Sequence, residues 1–414
     1  MRVKNRDVSR SGWLFFVLIL LTAISQAGFA QTETVLYTFN GPDGASPGIA
    51  TLAIDPKGNL YGTTLEGGAF RYGTVFAIPP AGGEQLLYSF TGAADGATPY
   101  GGVIFSNGTL YGTTEYGGKM GPNCQIGCGT VFKITGVGAE TVLYSFNGPA
   151  SDGASPFGGV IRDQAGNLYG TTSVGGLGNF GTVFELTTSG KELLYSFKRA
   201  PDGAFPWGRL FRDSNGNLYG TTEYGGANRC SNPVGSCGTI FEITSAGEST
   251  LYSFGNSITD GVYPQDGLIG DVSSGSLYGT ASAGGQYGYG TVFKLSKATG
   301  IWKETILYNF TGGTDGAYPT GGLIRDSRGN LYGTTPGGGA YTAGTVFRVS
   351  PTGRETVLYS FCALENCIDG AFPAAGLVSD NQGNLYGTTS GGGNTGSSCQ
   401  VYAYGCGVVF KLTP

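Results

Sequence analysis

The sequence predicts an all-β fold: a closed seven-bladed β-propeller with four antiparallel strands per blade. The segment LYGTT recurs six times and LYGTA once, with the shared tyrosine at Tyr61, Tyr111, Tyr169, Tyr219, Tyr278, Tyr332 and Tyr386. The spacing of 50 to 59 residues suits one four-stranded unit per repeat. Glycine supplies 78 of 414 residues while aromatic residues reach 13%, a composition typical of short strands and tight turns rather than of a disordered chain.

Each repeat contains four strand-like segments. An apolar segment such as Val357–Phe361 (VLYSF) is followed by one such as Gly321–Asp326 (GGLIRD), then by NLYGTT and finally by GTVF or a near variant. All four are rich in β-branched and aromatic residues and are bounded by Gly, Asn or Asp, as strands are. One such unit cannot bury both of its faces, and stacking the units in a ring solves that problem.

The order of the segments predicts how the ring closes. We expect the GGLIRD-type strand to be innermost, because paired glycines suit a crowded axis. The sequence starts its repeats with a VLYSF-type strand at Val35–Phe39 and ends them with a GTVF-type strand at Gly407–Leu412. We therefore expect residues 34–39 to complete the last blade, which would remove exposed sheet edges. An open β-solenoid is the rival fold, and it would need shorter coils and capping ends.

The pattern LYGTT, glycine pair, GTVF resembles the GloVer-type tandem repeat of bacterial exported proteins, the choice-of-anchor group. The resemblance covers residues 32–414 and recurs seven times. It implies a propeller and, in many members, a C-terminal cell-surface anchor, but no particular biochemical function. This sequence departs from that pattern at Lys411–Pro414, where neither a hydrophobic tail nor a sorting motif follows the last strand. We therefore expect a free periplasmic or secreted protein.

The first 30 residues have the features of a secretory signal. Four basic residues precede an apolar stretch at Trp13–Ala23, and the small residues Gly28 and Ala30 precede Gln31. We expect residues 1–30 to be a signal peptide and residues 31–414 to be a single propeller domain without a membrane span. An uncleaved anchor helix is the alternative interpretation of the first segment.

The charge of the remaining chain argues against one class of partner. Four of the 23 basic residues and one of the 28 acidic residues lie in the first 30, so residues 31–414 have a net charge of about −8. An acidic surface repels phosphate backbones, so we expect no nucleic-acid partner.

The eight cysteines form four local pairs, which we expect to be disulfides that staple loops in an exported protein. Their spacings match no zinc pattern well, and there is no histidine to complete one. The pairs are Cys124/Cys128, Cys230/Cys237, Cys362/Cys367 and Cys399/Cys406.

The absence of histidine narrows the possible chemistry. It excludes Ser-His-Asp and Cys-His nucleophile systems and histidine-ligated metals. We expect no cofactor, no metal and no catalytic residue. Hydrolysis or elimination by acids or tyrosines on a polysaccharide remains the alternative, although no two acids stand out from the repeats.

An Asp-Gly pair follows the VLYSF-type strand in every repeat. A turn is one interpretation, because Asp caps its own backbone and Gly accepts a positive φ. The other is a ring of carboxylates on one rim, able to meet cations or sugar hydroxyls. The seven aspartates are Asp43, Asp95, Asp152, Asp202, Asp260, Asp315 and Asp369. A second repeated pattern, D-x-x-G-N, predicts hairpin turns rather than calcium loops.

The loops of one rim carry variable aromatic residues. Variable, stapled loops on a rigid scaffold are what a binding surface needs. We therefore expect a non-catalytic module that binds a carbohydrate or a surface protein; a structural envelope component is a further alternative. Besides the seven aspartates, the candidate binding residues are Tyr116, Trp207, Tyr224, Tyr289 and Tyr341. The aromatic residues that follow Asp-Gly in each repeat have a second interpretation, which is packing between blades.

Overall fold

The structure, a computed structural model, is a ring of seven four-stranded antiparallel sheets. We name the four strands of each blade A to D, in chain order for the first six blades. Hydrogen bonds join them in that same order within every blade, which confirms the predicted propeller. Residues 31–47, 51–121, 124–136, 138–148, 152–230, 235–271, 274–396, 398–399 and 404–413 are described. The expected signal peptide, residues 1–30, lies outside them. No helix within the described ranges is long and apolar enough to cross a membrane.

Strand A is the innermost strand of each blade and is only two to four residues long. The residues that lead into it line the central channel. The glycines there hold adjacent blades at backbone contact: a Cβ on Gly158 would lie 2.4 Å from the Gly208 carbonyl oxygen. This close approach confirms the crowded axis. The A strands are Ala53–Ile54, Val103–Ser106, Val160–Arg162, Phe211–Arg212, Ile269–Asp271, Ile324–Arg325 and Val378–Ser379.

Strand B is the LYGTT segment, and the hydroxyls of its two threonines form hydrogen bonds with different blades. The first threonine reaches the next blade, as when the Thr221 hydroxyl donates to the Asp266 carbonyl oxygen at 2.8 Å. The second stays within its blade, as when Thr222 Oγ1 and Thr239 Oγ1 lie 2.7 Å apart. The B strands are Leu60–Thr64, Thr109–Thr114, Leu168–Thr172, Leu218–Thr222, Ser276–Ala281, Leu331–Thr335 and Leu385–Thr389.

Strand C is the GTVF segment, and its phenylalanine joins neighbouring blades. Phe132, for example, packs edge-on against Phe90 of the preceding blade with ring centroids 5.1 Å apart, and both rings are fully buried. The same pair recurs at all seven interfaces, with centroid distances of 4.9–5.2 Å. Such edge-on pairs contribute about 0.5–1.5 kcal/mol each beyond area burial. The C strands are Thr74–Ile78, Thr130–Thr135, Thr182–Thr187, Thr239–Thr244, Thr291–Ala298, Thr345–Val349 and Val408–Thr413.

Strand D is the outer VLYSF segment, and the first one in the chain closes the ring. Thr32–Thr38 pairs antiparallel with Val408–Thr413 and becomes strand D of the last blade, as predicted. The D strands of blades one to six are Gln85–Ser89, Glu140–Ser145, Gly190–Ser196, Gly247–Ser253, Ile301–Asn309 and Glu355–Ser360.

Alternating strand direction puts the B–C loops and the D–A loops on one side of the ring, which we call the upper rim. Short pairings tie the two loop types together, as between Gly203–Ala204 and Tyr224–Gly225. Two more such pairings are Gly153–Ala154 with Val174–Gly175 and Gly261–Val262 with Ala283–Gly284. A single 3-10 turn, Glu365–Cys367, is described in a D–A loop.

The cysteines are disulfide-bonded in the four local pairs that their spacing predicts. Three of the disulfides lie in B–C loops and the fourth in a D–A loop, so all four staple the upper rim. They are Cys124–Cys128, Cys230–Cys237, Cys362–Cys367 and Cys399–Cys406. Such bonds are typical of proteins that fold in an oxidising environment.

The D-x-x-G-N segments form the A–B hairpin turns on the opposite side of the ring. Asp326 accepts hydrogen bonds from the Asn330 backbone and side chain and from the Tyr332 hydroxyl. Burial raises the pKa of this carboxyl, but these hydrogen bonds outweigh burial and leave the pKa below its ordinary value. A hairpin turn therefore explains why this repeated pattern contains an aspartate.

Candidate ligand-binding site at the channel mouth

A cavity of about 500 Å³ occupies the channel at its upper-rim end. Residues that lead into strand A of every blade line it, and Pro336 of a B–C loop closes one side. Small side chains form one half of the wall, among them Thr51, Thr320 and Ala374. This volume falls within the usual range for small-molecule sites.

Three aromatic rings from consecutive blades form the other half of the wall. Phe157 stacks on Trp207 with centroids 4.6 Å apart and planes 11° apart, and Tyr100 packs edge-on against Phe157 at 4.6 Å. Each ring follows the proline of a D–A loop, where the chain turns inward to begin strand A. Trp207 Nε1 is shielded from solvent and has no hydrogen-bond partner among the described residues. The cluster therefore offers the cavity apolar surface, while the indole N–H is not exposed to it.

Two charged residues lie at the axis at positions where most blades have glycine. A segment of the form P-x-G-G, where x is any residue, precedes strand A in blades two, three and six. In blade five Asp266 stands in place of its first glycine, and in blade four Arg209 stands in place of its second. Arg209 Nη2 donates to the Gly101 carbonyl oxygen of blade two at 3.3 Å. Asp266 Oδ1 accepts from the Gly267 backbone N–H at 2.5 Å. Both side chains line the cavity.

Burial dominates the electrostatics of this charged pair. Burial raises the pKa of the Asp266 carboxyl, while backbone N–H donors and the Arg209 charge oppose that rise. Burial also lowers the pKa of the Arg209 guanidinium, and the Asp266 charge opposes that change. The two charges thus stabilise each other at a place where water has limited access.

Further acids lie behind the aromatic rings. Glu223 is buried and accepts a hydrogen bond from Gln265 Nε2 at 2.9 Å, which fixes the amide of Gln265 in the cavity wall. Burial raises the pKa of Tyr100 to about 12, and the charges of Glu115, Glu223 and Asp266 add to the effect. Acidic groups therefore lie around the Tyr100 hydroxyl in the aromatic half of the mouth.

The seven Asp-Gly aspartates are not part of this cavity. Each accepts a hydrogen bond from the tyrosine hydroxyl of the preceding D strand, as between Tyr144 and Asp152 at 2.9 Å. Most also accept backbone N–H groups within their own loop, as Asp315 does from Thr311. They lie between blades, near the outer strands, and three of them are buried.

The remaining predicted binding residues lie on the upper rim but apart from one another. Of the five aromatic candidates, Trp207 alone lines the cavity. Tyr224 and Tyr289 each pack against a tyrosine of the next D–A loop, with centroids 5.7 and 5.6 Å apart. Tyr341 is 52% exposed, and Tyr116 is half-buried.

The upper rim gathers most of the exposed large apolar side chains. Of the fifteen that the described residues contain, all but Leu86 and Ile301 lie in its loops. They are Phe70, Tyr72, Met120, Ile126, Leu177, Ile258, Tyr287, Tyr289, Tyr318, Tyr341, Leu364, Ile368 and Tyr404. The opposite side of the ring has no comparable share of these side chains among the described residues.

Sequence reasoning missed Arg209, Asp266 and Gln265 and did not separate Tyr100 and Phe157 from the other loop aromatics. Aligning the seven repeats on their proline would have found them. The residue before that proline adopts a positive φ in all seven repeats and turns toward the rim. In the six repeats where the residue after it is described, that residue lines the channel, and the position differs between blades.

Comparisons with solved structures give likenesses at low identity. A gluconolactonase from Xanthomonas campestris has 12% identity and a TM-score of 0.43, with 92% of this chain and 89% of that chain covered. A protein from Lactobacillus plantarum has 14% identity and a TM-score of 0.46, with 80% and 88% covered. PorZ, a surface component of the type-IX secretion system of Porphyromonas gingivalis, has 15% identity and a TM-score of 0.35, with 82% and 47% covered.

The sequence comparisons are more specific. No curated protein matches this chain. The model of the Gloeobacter/Verrucomicrobia repeat matches residues 22–123, 122–312 and 231–414, which together span nearly the whole sequence. This confirms the resemblance that the LYGTT and GTVF motifs indicated, and the chain belongs to the family built from the Gloeobacter/Verrucomicrobia repeat.

Proposed function

We propose that this protein is an exported, non-catalytic binding module that takes a saccharide unit into the mouth of its channel. The observation that carries the proposal is the break in repeat symmetry at the cavity. Threonine, tyrosine and phenylalanine positions of the scaffold recur in every blade or nearly so, whereas Tyr100, Phe157, Trp207, Arg209 and Asp266 are each particular to one blade. Residues that serve the fold recur with it, so blade-specific residues gathered in one cavity indicate recognition.

The chemistry of the cavity favours a saccharide. A sugar ring has an apolar C–H face that packs on aromatic surface and hydroxyl groups that both donate and accept hydrogen bonds. The aromatic half supplies the surface. Arg209, Asp266 and Gln265 supply fixed planar donors and acceptors beside it. A volume of about 500 Å³ accommodates one or two sugar units.

The apolar rim around the mouth extends the same surface. A glycan whose terminal unit enters the cavity would run outward across the B–C and D–A loops. There it would meet exposed rings such as Tyr289 and Tyr341. Disulfide staples in these loops favour binding, because ordering the loops then costs less conformational entropy on association.

A second candidate, an enzyme that acts on polysaccharide, rests on Asp266 in the cavity wall and on two acids behind the aromatic rings. Burial raises the pKa of Glu115, Glu223 and Asp266, and a raised pKa lets a carboxyl act as a general acid near neutral pH. Each of these acids is absent from most blades. Turnover of a bound glycan, lost on Glu223→Gln substitution, would favour this candidate.

The test is a glycan-array screen of the oxidised protein, followed by calorimetry on the best ligand. Trp207→Ala should weaken binding at least tenfold, because it removes the stacking surface. Tyr341→Ala is the matched control on the rim and should weaken terminal-unit binding by less than threefold. If no glycan class binds, or if Tyr341→Ala abolishes binding while Trp207→Ala does not, the channel-mouth proposal is wrong.

A further inference from the structure

The Arg209 guanidinium has hydrogen-bonding capacity that the protein does not use. Its Nη2 atom donates to the Gly101 carbonyl oxygen at the long distance of 3.3 Å. Its Nε and Nη1 atoms have no hydrogen-bond partner among the described residues, yet they are not shielded from solvent. Because Arg209 lines the cavity, these N–H groups open into it. The wall therefore contains a planar donor that is available to a ligand.

Gln265 presents the opposite kind of group. Its Nε2 atom donates to Glu223 Oε1 at 2.9 Å. An ionised carboxylate only accepts hydrogen bonds, so this contact fixes which way round the Gln265 amide lies. The Oε1 atom is then the free end of the side chain, and no described residue donates to it. The wall therefore contains a fixed acceptor as well as a fixed donor.

The donor and the acceptor come from segments of backbone that touch each other. A Cβ on Gly267 would lie 2.2 Å from the Arg209 carbonyl oxygen. Gln265 stands two positions before Gly267, and Trp207 stands two positions before Arg209. Donor, acceptor and aromatic ring thus reach the cavity from one pair of neighbouring blades.

Much of the remaining lining is apolar. It includes Leu210, Leu268, Leu323 and Ile324 besides the aromatic rings. A ligand hydroxyl placed against this surface would lose the hydrogen bonds that it forms with water. The ligand group that suits the lining therefore combines one acceptor, one donor and an apolar portion.

The charges around the cavity favour a neutral ligand group. Asp266 offsets the positive charge of Arg209 and also accepts the Gly267 backbone N–H. Further acids lie around the Tyr100 hydroxyl. A ligand carboxylate would be repelled by these acids, and a ligand ammonium would meet the Arg209 guanidinium.

We propose that the channel mouth selects an N-acetylated aminosugar, whose acetamido group binds between Arg209 and Gln265. The acetamido carbonyl oxygen accepts from the Arg209 guanidinium, and the acetamido N–H donates to Gln265 Oε1. The methyl group packs on the apolar lining, which a plain hydroxyl at the same place does not satisfy. The inference rests on the saccharide binding proposed above and names the class of sugar.

Trisaccharides that differ in a single substituent test this selection. Triacetylchitotriose, chitotriose and cellotriose share one backbone and carry an acetamido, an ammonium and a hydroxyl group, respectively, on the second carbon of each ring. Calorimetry on the oxidised protein should show that the acetylated trimer binds at least about tenfold more tightly than either of the others, because both hydrogen bonds depend on the acetamido group.

Variants of the donor and the acceptor locate the selection. Gln265→Leu removes the acceptor at similar side-chain size, and Arg209→Lys keeps the charge beside Asp266 but removes the planar fork. Each should reduce the preference for the acetylated trimer over cellotriose to less than about threefold. Gln164→Leu, the same exchange in an exposed A–B turn on the opposite side of the ring, should bind as the native protein does. Thermal unfolding checks that each variant folds, and if one does not, the other decides.

The outcomes separate this inference from the saccharide proposal on which it rests. If a glycan without an acetamido group binds as tightly as the acetylated trimer, the acetamido site is wrong while saccharide binding stands. The same conclusion follows if Gln265→Leu and Arg209→Lys keep the native preference, since the acetamido group then binds elsewhere. If no glycan of the array binds the native protein, the saccharide proposal is wrong and this inference is wrong with it.

Discussion

The Phe157 ring stacks on the Trp207 indole at 4.6 Å, and together they form one wall of the channel mouth. The two residues come from consecutive blades and occupy the same position of the repeat. In blade two this position holds Tyr100, and in the other blades it holds glutamine, threonine, alanine or glycine. Replacing only this position in neighbouring blades changes the surface of the channel while leaving the scaffold unchanged. A propeller can therefore acquire a specific cavity without altering the residues that hold its blades together.

Removing Phe157 should expose Trp207 and weaken ligand binding. Phe157→Ala deletes the stacked partner, and such pairs contribute about 0.5–1.5 kcal/mol beyond area burial. In a Trp302→Phe background, Trp207 emission should shift to the red and become more accessible to acrylamide. Affinity for the ligand should fall about tenfold, which corresponds to about 1.4 kcal/mol. Phe180→Ala removes a rim ring that packs on Phe205, and it should leave the Trp207 emission unchanged.

Adding a methyl group at the axis should destabilise the ring. A Cβ on Gly158 would lie 2.4 Å from the Gly208 carbonyl oxygen and 2.7 Å from its carbonyl carbon, so two blades would have to separate. Gly158→Ala should lower the free energy of unfolding by about 1–3 kcal/mol, as overpacking does, measured by urea denaturation. Gly136→Ala is the control, because only one atom lies within 4 Å of its added Cβ. Equal effects from the two variants would contradict the crowded axis.

The residues that repeat could be interpreted from the sequence, and those that do not repeat largely could not. LYGTT and GTVF predict strands because their β-branched and aromatic residues suit a pleated, buried surface. The Asp-Gly turns and the disulfides also follow from local residue chemistry. The Arg209–Asp266 pair is different: 57 residues separate its members, and only the packing of two adjacent blades brings them together. The same holds for Glu304 and Asp260, whose facing carboxyls depend on how adjacent blades pack.

Restoring a missing threonine should stabilise blade five. Ala281 replaces the second threonine of LYGTT there, and the buried Thr291 Oγ1 has no partner in the described structure. In blade six, by comparison, Thr335 Oγ1 and Thr345 Oγ1 lie 2.8 Å apart. Ala281→Thr should recreate that hydrogen bond and add about 1 kcal/mol to the free energy of unfolding. Calorimetry should show a Tm increase of about 2 °C. Ala281→Val adds similar volume without a hydroxyl, so a comparable gain from it would attribute the effect to packing instead.

Glutamates at the start of the outer D strands should make the propeller less stable as pH rises toward neutrality. Burial, with a smaller contribution from the Asp43 charge, raises the pKa of Glu84 to about 7. Below the ordinary pKa of about 4.5 the carboxyl is protonated in both folded and unfolded chains, so its ionisation costs no stability. Between about 4.5 and 7 the unfolded chain releases the proton first, and the free energy of unfolding falls as pH rises. Above 7 the loss is complete.

Glu84→Gln tests this relation, because an amide stays neutral at every pH. Urea denaturation should give equal stability for the variant and the native protein at pH 4 and higher stability for the variant at pH 8. The exposed Glu192→Gln should produce no such difference between the two pH values. If Glu84→Gln and the native protein keep the same pH slope, the Glu84 carboxyl ionises as readily in the folded chain as in the unfolded one. The Glu84–Asp43 carboxyl pair would then impose no cost on folding at neutral pH.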